Sequence, residues 1–307
     1  MTKAIAFTEF GTPDVLHTLD VDLPEPGAGQ VRIAVRAAGV NPVDSKIRSG
    51  AMQQVFPTPF PHVPGVEASG VVEAVGSGVT GFAVGDEVFG QTVTGAYAEQ
   101  ALAPADRLAP KPDSLDWAAA AALPVATETT YRALEPLALR PGETLLVHGA
   151  AGGVGTVAVQ FAVARGVKVI GTASDANHER LRALGAVPVR YGDGLVERVR
   201  ALAPDGVDAA FDLSGQPQAL ADSVELTGGS ERVITVANAV AAKEAGIAFT
   251  GGGESDRSRP AFEEALALLA AGKLHLAVHR AYPLAEAADA QRESETGHAT
   301  GKIVLTV

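Results

Sequence analysis

The chain has no cysteine among its 307 residues. That excludes disulfides, thiolate catalysis and every zinc site built on sulfur ligands. Basic residues are also in deficit: 24 Lys and Arg stand against 36 Asp and Glu, a formal net charge of −12. That charge would repel a nucleic-acid backbone, so no nucleic-acid partner is expected. No uninterrupted apolar run reaches the roughly 18 residues that a membrane span needs. The opening stretch MTKAIAFTEF has no charged-then-apolar leader pattern, and the expected setting is cytoplasmic. His275 and His279 are four apart, a spacing used by helical zinc sites. Their stretch alternates like a strand and no third ligand is near, so they are read as strand residues. No internal repeat or low-complexity linker is seen.

What is present is an ordinary globular composition, 47% hydrophobic and 20% charged, long enough for two domains. The front of the chain is β-rich. KAIAF and QVRIAVRAAGV alternate, and GVEASGVVEAVGSGVTGFAVGDEVFG holds valine runs broken by glycine. Strands bent at such close spacing predict a small barrel or curled sheets. SLDWAAAAALPVATETTYRAL is helical with a break at Pro124. From Thr144 apolar strands alternate with helices: TLLVH, a helix ending at Gly166, VKVIGTA, a helix capped by Ser174 or Asp175, VPVRY, VDAAFDLSG and ERVITVA. This alternation predicts a parallel sheet covered on both faces. After the helix PAFEEALALLAAG the pattern turns β-like again. The expected organisation is a β-rich domain of residues 1–122 and 271–307 around an α/β domain of residues 123–270.

The densest signal is HGAAGGVG, which leaves a strand and opens a helix. Gly149, Gly152 and Gly155 are spaced by threes. Gly149 permits a tight turn. Gly152 and Gly153 put no side chain between backbone and ligand, and Gly155 lets the helix pack closely on the sheet. With Ala150 and Val154 they form a cradle where the helix N-terminus offers free N–H groups and partial positive charge to a pyrophosphate. No Lys-Ser or Lys-Thr pair follows, so a nucleoside-triphosphate loop does not fit. The second strand also lacks the terminal acid that holds the ribose diol of NAD. Thr172 and Ala173 stand there, and Asp175 is better explained as a cap. Ser174 is placed to bond a 2′-phosphate and Arg180 to approach its charge, unless Ser174 only caps and Arg180 is solvated. The preferred cofactor is NADPH.

VHGAAGGVG behind a β-rich front resembles the medium-chain dehydrogenase/reductase superfamily, and within it the zinc-free quinone oxidoreductase group. AGVNPVDSKIRSG, PHVPGVEASGVVEAVGSGVTGFAVGDEVFG and GHATGKIVLTV resemble further elements of that group, in the same order. The resemblance implies a GroES-like β-barrel catalytic domain, a Rossmann-type cofactor domain and a cleft between them. It also implies a homodimer, and hydride transfer from NADPH to a quinone or activated double bond. Zinc alcohol dehydrogenases of the superfamily place Cys where this chain has Asn41 and His where it has Val66. No metal is therefore expected.

Without a strong Lewis acid, a conjugated enone or quinone is the easier acceptor, because the arriving charge spreads onto a distant oxygen. Asn41 is expected to orient substrate or nicotinamide ribose. The proton comes from solvent, a ribose hydroxyl or Asp44, which is otherwise a turn cap after Pro42. Thr129 matches the family's threonine near the cofactor. Its neighbours depart from the pattern: Thr127-Glu128 replaces Gly-Leu, so that Glu128 either alters the cleft's charge or faces water. Ser214, in FDLSG with Asp212 and Gly215, and Val236 and Ala237, in TVANAV, follow strand ends on the expected ligand edge. Asp212 is either a strand-end cap or a cofactor contact. A tyrosine that several relatives carry after IRSG is absent, with Met52 in its place; Met52 and Phe56 are lid packing or plain core. The loops 50–62 and 238–258 would shape the pocket. The readings kept open beside the quinone or enone reductase are an enoyl-thioester reductase and a non-catalytic NADPH-binding sensor.

Overall fold

Alternation in QVRIAVRAAGV builds the longest strand of the front unit, with Val31, Ile33 and Val35 turned into its core. A computed structural model describes residues 1–251 and 257–307. It divides into two units, Met1–Val125 with Leu276–Val307, and Ala126–His275. Part of the loop 238–258 lies outside the described residues.

In the first unit β1 (Thr2–Ala6) pairs with β2 (His17–Val21). The long strand β3 (Gln30–Val40) leads into α1 (Pro42–Arg48). Then come β4 (Glu67–Val75), β5 (Glu87–Gln91), β6 (Gln100–Pro104), β7 (Leu108–Pro110) and α2 (Trp117–Ala121). The chain ends here too, with β14 (Val278–Pro283), α10 (Ala287–Glu295) and β15 (Lys302–Thr306). One curled sheet runs β14-β15-β3-β4-β5-β7, and β6 also pairs with β3. Register shifts between β3 and β4 mark bulges where that sheet bends. Its core gathers Val31, Ile33, Val72, Val88, Tyr97 and Leu305. Each such fully buried side chain is worth about 1.5–3 kcal/mol of transfer free energy.

The helix α3 (Pro124–Leu137) begins at Pro124, where a missing N–H costs nothing. The second unit then alternates β8 (Thr144–His148), α4 (Gly153–Ala164), β9 (Lys168–Ala173), α5 (His178–Ala183) and β10 (Val187–Arg190). It continues with α6 (Leu195–Leu202), β11 (Ala209–Asp212), α7 (Pro217–Thr227), β12 (Val233–Thr235), α8 (Ala239–Ala245), β13 (Ala248–Phe249) and α9 (Ser258–Ala270). The sheet is parallel, in the order β10-β9-β8-β11-β12-β13. The order reverses between β8 and β11, the switch point at which such sheets bind ligands.

Two local expectations are corrected. The single helix expected at SDANHERLRALGA is a 3-10 turn, Asp175–Asn177, followed by the short α5, and the Ser174 side chain makes no capping bond. Asn177 instead donates to Ser174 Oγ at 3.1 Å, tightening the turn. In KLHLAVHRAYPL only Val278–Pro283 is strand. His275 lies before it, its N–H donated to Gln160 Oε1 at 2.7 Å. Among the described residues no helix is long and apolar enough to cross a membrane.

Candidate cofactor and acceptor site

In the second unit the glycine loop sits at the switch point. Gly149 has φ +72°, in the left-handed region that favours glycine. Its N–H donates to Thr172 Oγ1 at 3.1 Å, and the Ala150 N–H donates to Thr172 O at 3.1 Å. Thr172, which the sequence placed only as the missing acid's substitute, therefore anchors the loop to β9. A Cβ on Gly155 would lie 2.3 Å from Gly149 O and 2.8 Å from Ala150 Cα. The close approach it permits is thus to the loop's own backbone, where the sequence suggested the sheet. A Cβ on Gly152 would meet only Gly149 O, at 3.4 Å. The first helical bond runs from Thr156 N–H to Gly152 O. The N–H groups of Gly153, Val154 and Gly155 precede it and are the helix's open donors. Open donors beside a bare backbone fit a pyrophosphate.

Ser174, just after β9, and Arg180, in α5, are half-buried, and burial lowers the guanidinium's pKa at Arg180. Arg190 was missed in the sequence. It ends β10 in register with Ala173 and pairs with Asp175 at 3.2 Å. A basic residue closing the strand after VKVIGTA was the available signal.

At the end of β11, Asp212 is fully buried. Its Oδ1 accepts from Ser214 N and Oγ at 2.9 and 2.6 Å. Its Oδ2 accepts from Gly215 N at 3.1 Å and Thr235 Oγ1 at 2.7 Å. Thr235 Oγ1 in turn accepts the Ala237 N–H, and Asn238 Nδ2 donates to Gly215 O. Val236 N–H donates to Asp212 O at 3.3 Å. One carboxylate thus fixes both loops that carry Ser214, Val236 and Ala237. Before the glycine loop, His148 Nε2 lies 3.0 Å from Ser223 Oγ, and burial pushes the imidazole's pKa down. Thr129 is 8% exposed on α3. Glu128 does not face water: it is 3% exposed and holds Arg132 Nε at 2.7 Å, an i,i+4 pair that the helix spacing of the two residues foreshadowed. Arg132 Nη1 also donates to Thr250 Oγ1 at 2.7 Å.

In the first unit Asn41 caps α1 and is 3% exposed. Its N–H donates to Asp44 Oδ2 at 2.9 Å, one half of a capping box. Asp44 Oδ2 also accepts the Tyr97 hydroxyl at 3.0 Å. Asp44 Oδ1 is buried without a partner. Burial pushes the Asp44 carboxyl up to about 7, against the pull of its hydrogen bonds and of Lys302, and burial likewise raises the Tyr97 phenol. The Asn41 side chain is held as well. Its Nδ2 donates to Glu67 Oε1 at 2.7 Å, and Lys302 Nζ donates to Asn41 Oδ1 at 2.5 Å and to Glu67 Oε1 at 2.6 Å. Glu67 Oε2 accepts the Val125 N–H at 2.7 Å. Sequence reasoning missed both Glu67 and Lys302, though both stand inside the quoted motifs. Val66, at the other expected zinc position, is half-buried beside Glu67. Among the described residues no three His, Asp or Glu groups cluster as metal ligands. Met52 and Phe56 are exposed to different degrees: Met52 packs partly against the core, and Phe56 is 42% exposed.

Comparison with known proteins places these features. The family described as alcohol dehydrogenase GroES-like domain matches residues 27–113, and that described as zinc-binding dehydrogenase matches residues 184–305. The chain is 35% identical to the quinone oxidoreductase of Mus musculus, over 99% of this chain and 98% of that protein. It is also 35% identical to a 2-methylene-furan-3-one reductase of Solanum lycopersicum, over 99% of this chain and 78% of that protein. A solved mycobacterial structure complexed with NADPH superposes with a TM-score of 0.87 at 31% identity, covering all of both chains. The fold, the glycine loop and this full-length similarity make the chain a member of the quinone oxidoreductase group of the medium-chain dehydrogenase/reductase superfamily.

Proposed function

We propose that the protein uses NADPH to reduce a quinone or an α,β-unsaturated carbonyl compound, without a metal. One observation carries the reading: the switch-point loop presents the Gly153, Val154 and Gly155 N–H groups beside a backbone left bare at Gly152. The relatives support the cofactor and the acceptor class. One solved relative is complexed with NADPH, and the names of others are those of quinone and enone reductases. When bound, NADPH supplies a hydride. Gly149, Ala150, Gly152, Gly153, Val154 and Gly155 hold its pyrophosphate. Ser174, with Arg180 and Arg190, holds the 2′-phosphate that separates it from NADH. Ser214, Val236 and Ala237, fixed through Asp212, support the nicotinamide side, with Thr129 lining the same cofactor.

Asn41 donates its remaining N–H to the acceptor oxygen on which charge collects, an electrostatic role that needs no metal. Asp44 is assigned to pinning Asn41 through its N–H, and the proton reaches the product from solvent or a ribose hydroxyl. Side chains at the two zinc positions, an amide and a valine, are not zinc ligands, which supports a metal-independent reaction. The homodimer implied by the resemblance and the cytoplasmic setting read from the sequence belong to the same proposal. The test is transfer of label: with NADPH deuterated at the transferring position, deuterium should appear at the β-carbon of a reduced enone. Product free of deuterium would overturn the reading.

A further inference from the structure

The Asn41 amide is bounded by two groups of opposite and unambiguous hydrogen-bonding character. An ammonium only donates, so the atom facing Lys302 Nζ at 2.5 Å is the oxygen. A carboxylate only accepts, so the atom facing Glu67 Oε1 at 2.7 Å is the nitrogen. The amide therefore has one orientation, set by chemistry. Its backbone is fixed as well, by the Asp44 carboxyl. The arrangement is built into the strands. Glu67 opens β4, Lys302 opens β15, and Asn41 follows β3 between them. The Glu67 side chain lies where a Cβ on Gly39 would be, 2.1 Å from Oε1, so β3 makes room for it with glycine. Both charged side chains are buried, at 6% and 0% exposure.

We propose that Glu67 and Lys302 are positioning residues that lock the Asn41 amide in one orientation and strengthen its second N–H as the donor to the acceptor's oxygen. The ammonium on Oδ1 draws electrons through the amide and makes that N–H a better donor. The carboxylate on Nδ2 occupies the other proton, leaving one direction for donation. The ion pair also neutralises the Glu67 charge beside that donor. A lone Glu67 charge would oppose the negative charge arriving on the acceptor. This inference rests on the reading that Asn41 meets the acceptor.

The test compares Asn41→Ala, Glu67→Gln, Lys302→Met and the double variant Glu67→Gln/Lys302→Met. Measured are melting temperature, NADPH affinity by fluorescence, and kcat and KM for a quinone. Each single charge removal should lower the melting temperature, because it strands a buried partner, and the double variant should recover it. Recovery of stability without recovery of turnover is what a merely structural pair would not give. Asn41→Ala should lose roughly a hundredfold in kcat, and the double variant roughly tenfold, with KM and NADPH affinity changed by less than about threefold. If Asn41→Ala is impaired while the double variant turns over like the wild type, the positioning role is overturned and the Asn41 reading stands. If Asn41→Ala itself turns over normally, that reading falls and the positioning role falls with it. Should the double variant not fold, Lys302→Arg decides: it keeps a cationic donor and should retain at least a third of kcat. A fall to the Asn41→Ala level at an unchanged melting temperature would overturn the proposal.

Discussion

Replacing Asp44 by asparagine isolates the energetic consequence of burying a carboxyl with one oxygen unpartnered. In the folded chain this group titrates at about 7, against an ordinary 3.8 when unfolded. Between those values the native state holds a proton that the unfolded chain has lost. Native stability therefore falls as pH rises from about 4 to about 7, and is flat above. The interval of roughly three units, at about 1.4 kcal/mol each, is on the order of 4 kcal/mol. Asp44→Asn keeps an acceptor for the Asn41 N–H and the Tyr97 hydroxyl, and puts an uncharged amide where Oδ1 lies. Relative to the wild type, the variant should gain about 1 kcal/mol at pH 4.5 and about 4 kcal/mol at pH 8. The neighbours that share the network, Tyr97, Lys302 and Glu67, are present in both proteins. Urea titration followed by tryptophan fluorescence is the assay: the only tryptophan, Trp117, is in the same unit. A variant-minus-wild-type difference that is the same at both pH values would refute the reasoning.

Three further outcomes follow from the second unit. Gly152→Ala should fold normally but lose at least about tenfold in NADPH affinity. Gly155→Ala, whose Cβ would strike Gly149 O, should lower the melting temperature as well; the pair is compared by calorimetry and cofactor fluorescence. Asp212→Ala strands the Ser214 and Gly215 N–H groups and should destabilise this unit by about 3 kcal/mol, read from urea midpoints. It should weaken NADPH binding in parallel. Ser174→Ala and Arg190→Ala should each weaken NADPH several-fold and leave NADH nearly unchanged, measured by titration of both cofactors.

How much of this was legible beforehand depends on sequence distance. The glycine loop was, because Gly149, Gly152 and Gly155 act within one turn between a strand and a helix, and local spacing carries the geometry. What held the loop was less visible: the Thr172 hydroxyl reaches it across 23 residues. Asn41 stood out through its motif, yet its partners Glu67 and Lys302 are 26 and 261 residues away and meet it only once the sheet forms. Asp44 was visible both as a cap and as an acid. Its capping geometry supports the first role, and its burial explains why its carboxyl is perturbed. Of the two readings of Glu128, the solvent one fails, because Arg132, one helical turn on, pairs with it in the interior. The helix after β9 is broken by a local turn, in which the Asn177 N–H and side chain both bond back to Ser174, a competition that the continuous helical pattern hid.

This fold transfers hydride from NADPH to a conjugated acceptor. The most direct measurement is NADPH oxidation, followed at its own absorbance, with a panel of quinones and enones and with NADH as the competing donor. Turnover of at least one acceptor is expected, with a clear preference for NADPH. Tight NADPH binding with no acceptor turned over, or a preference for NADH, would contradict it.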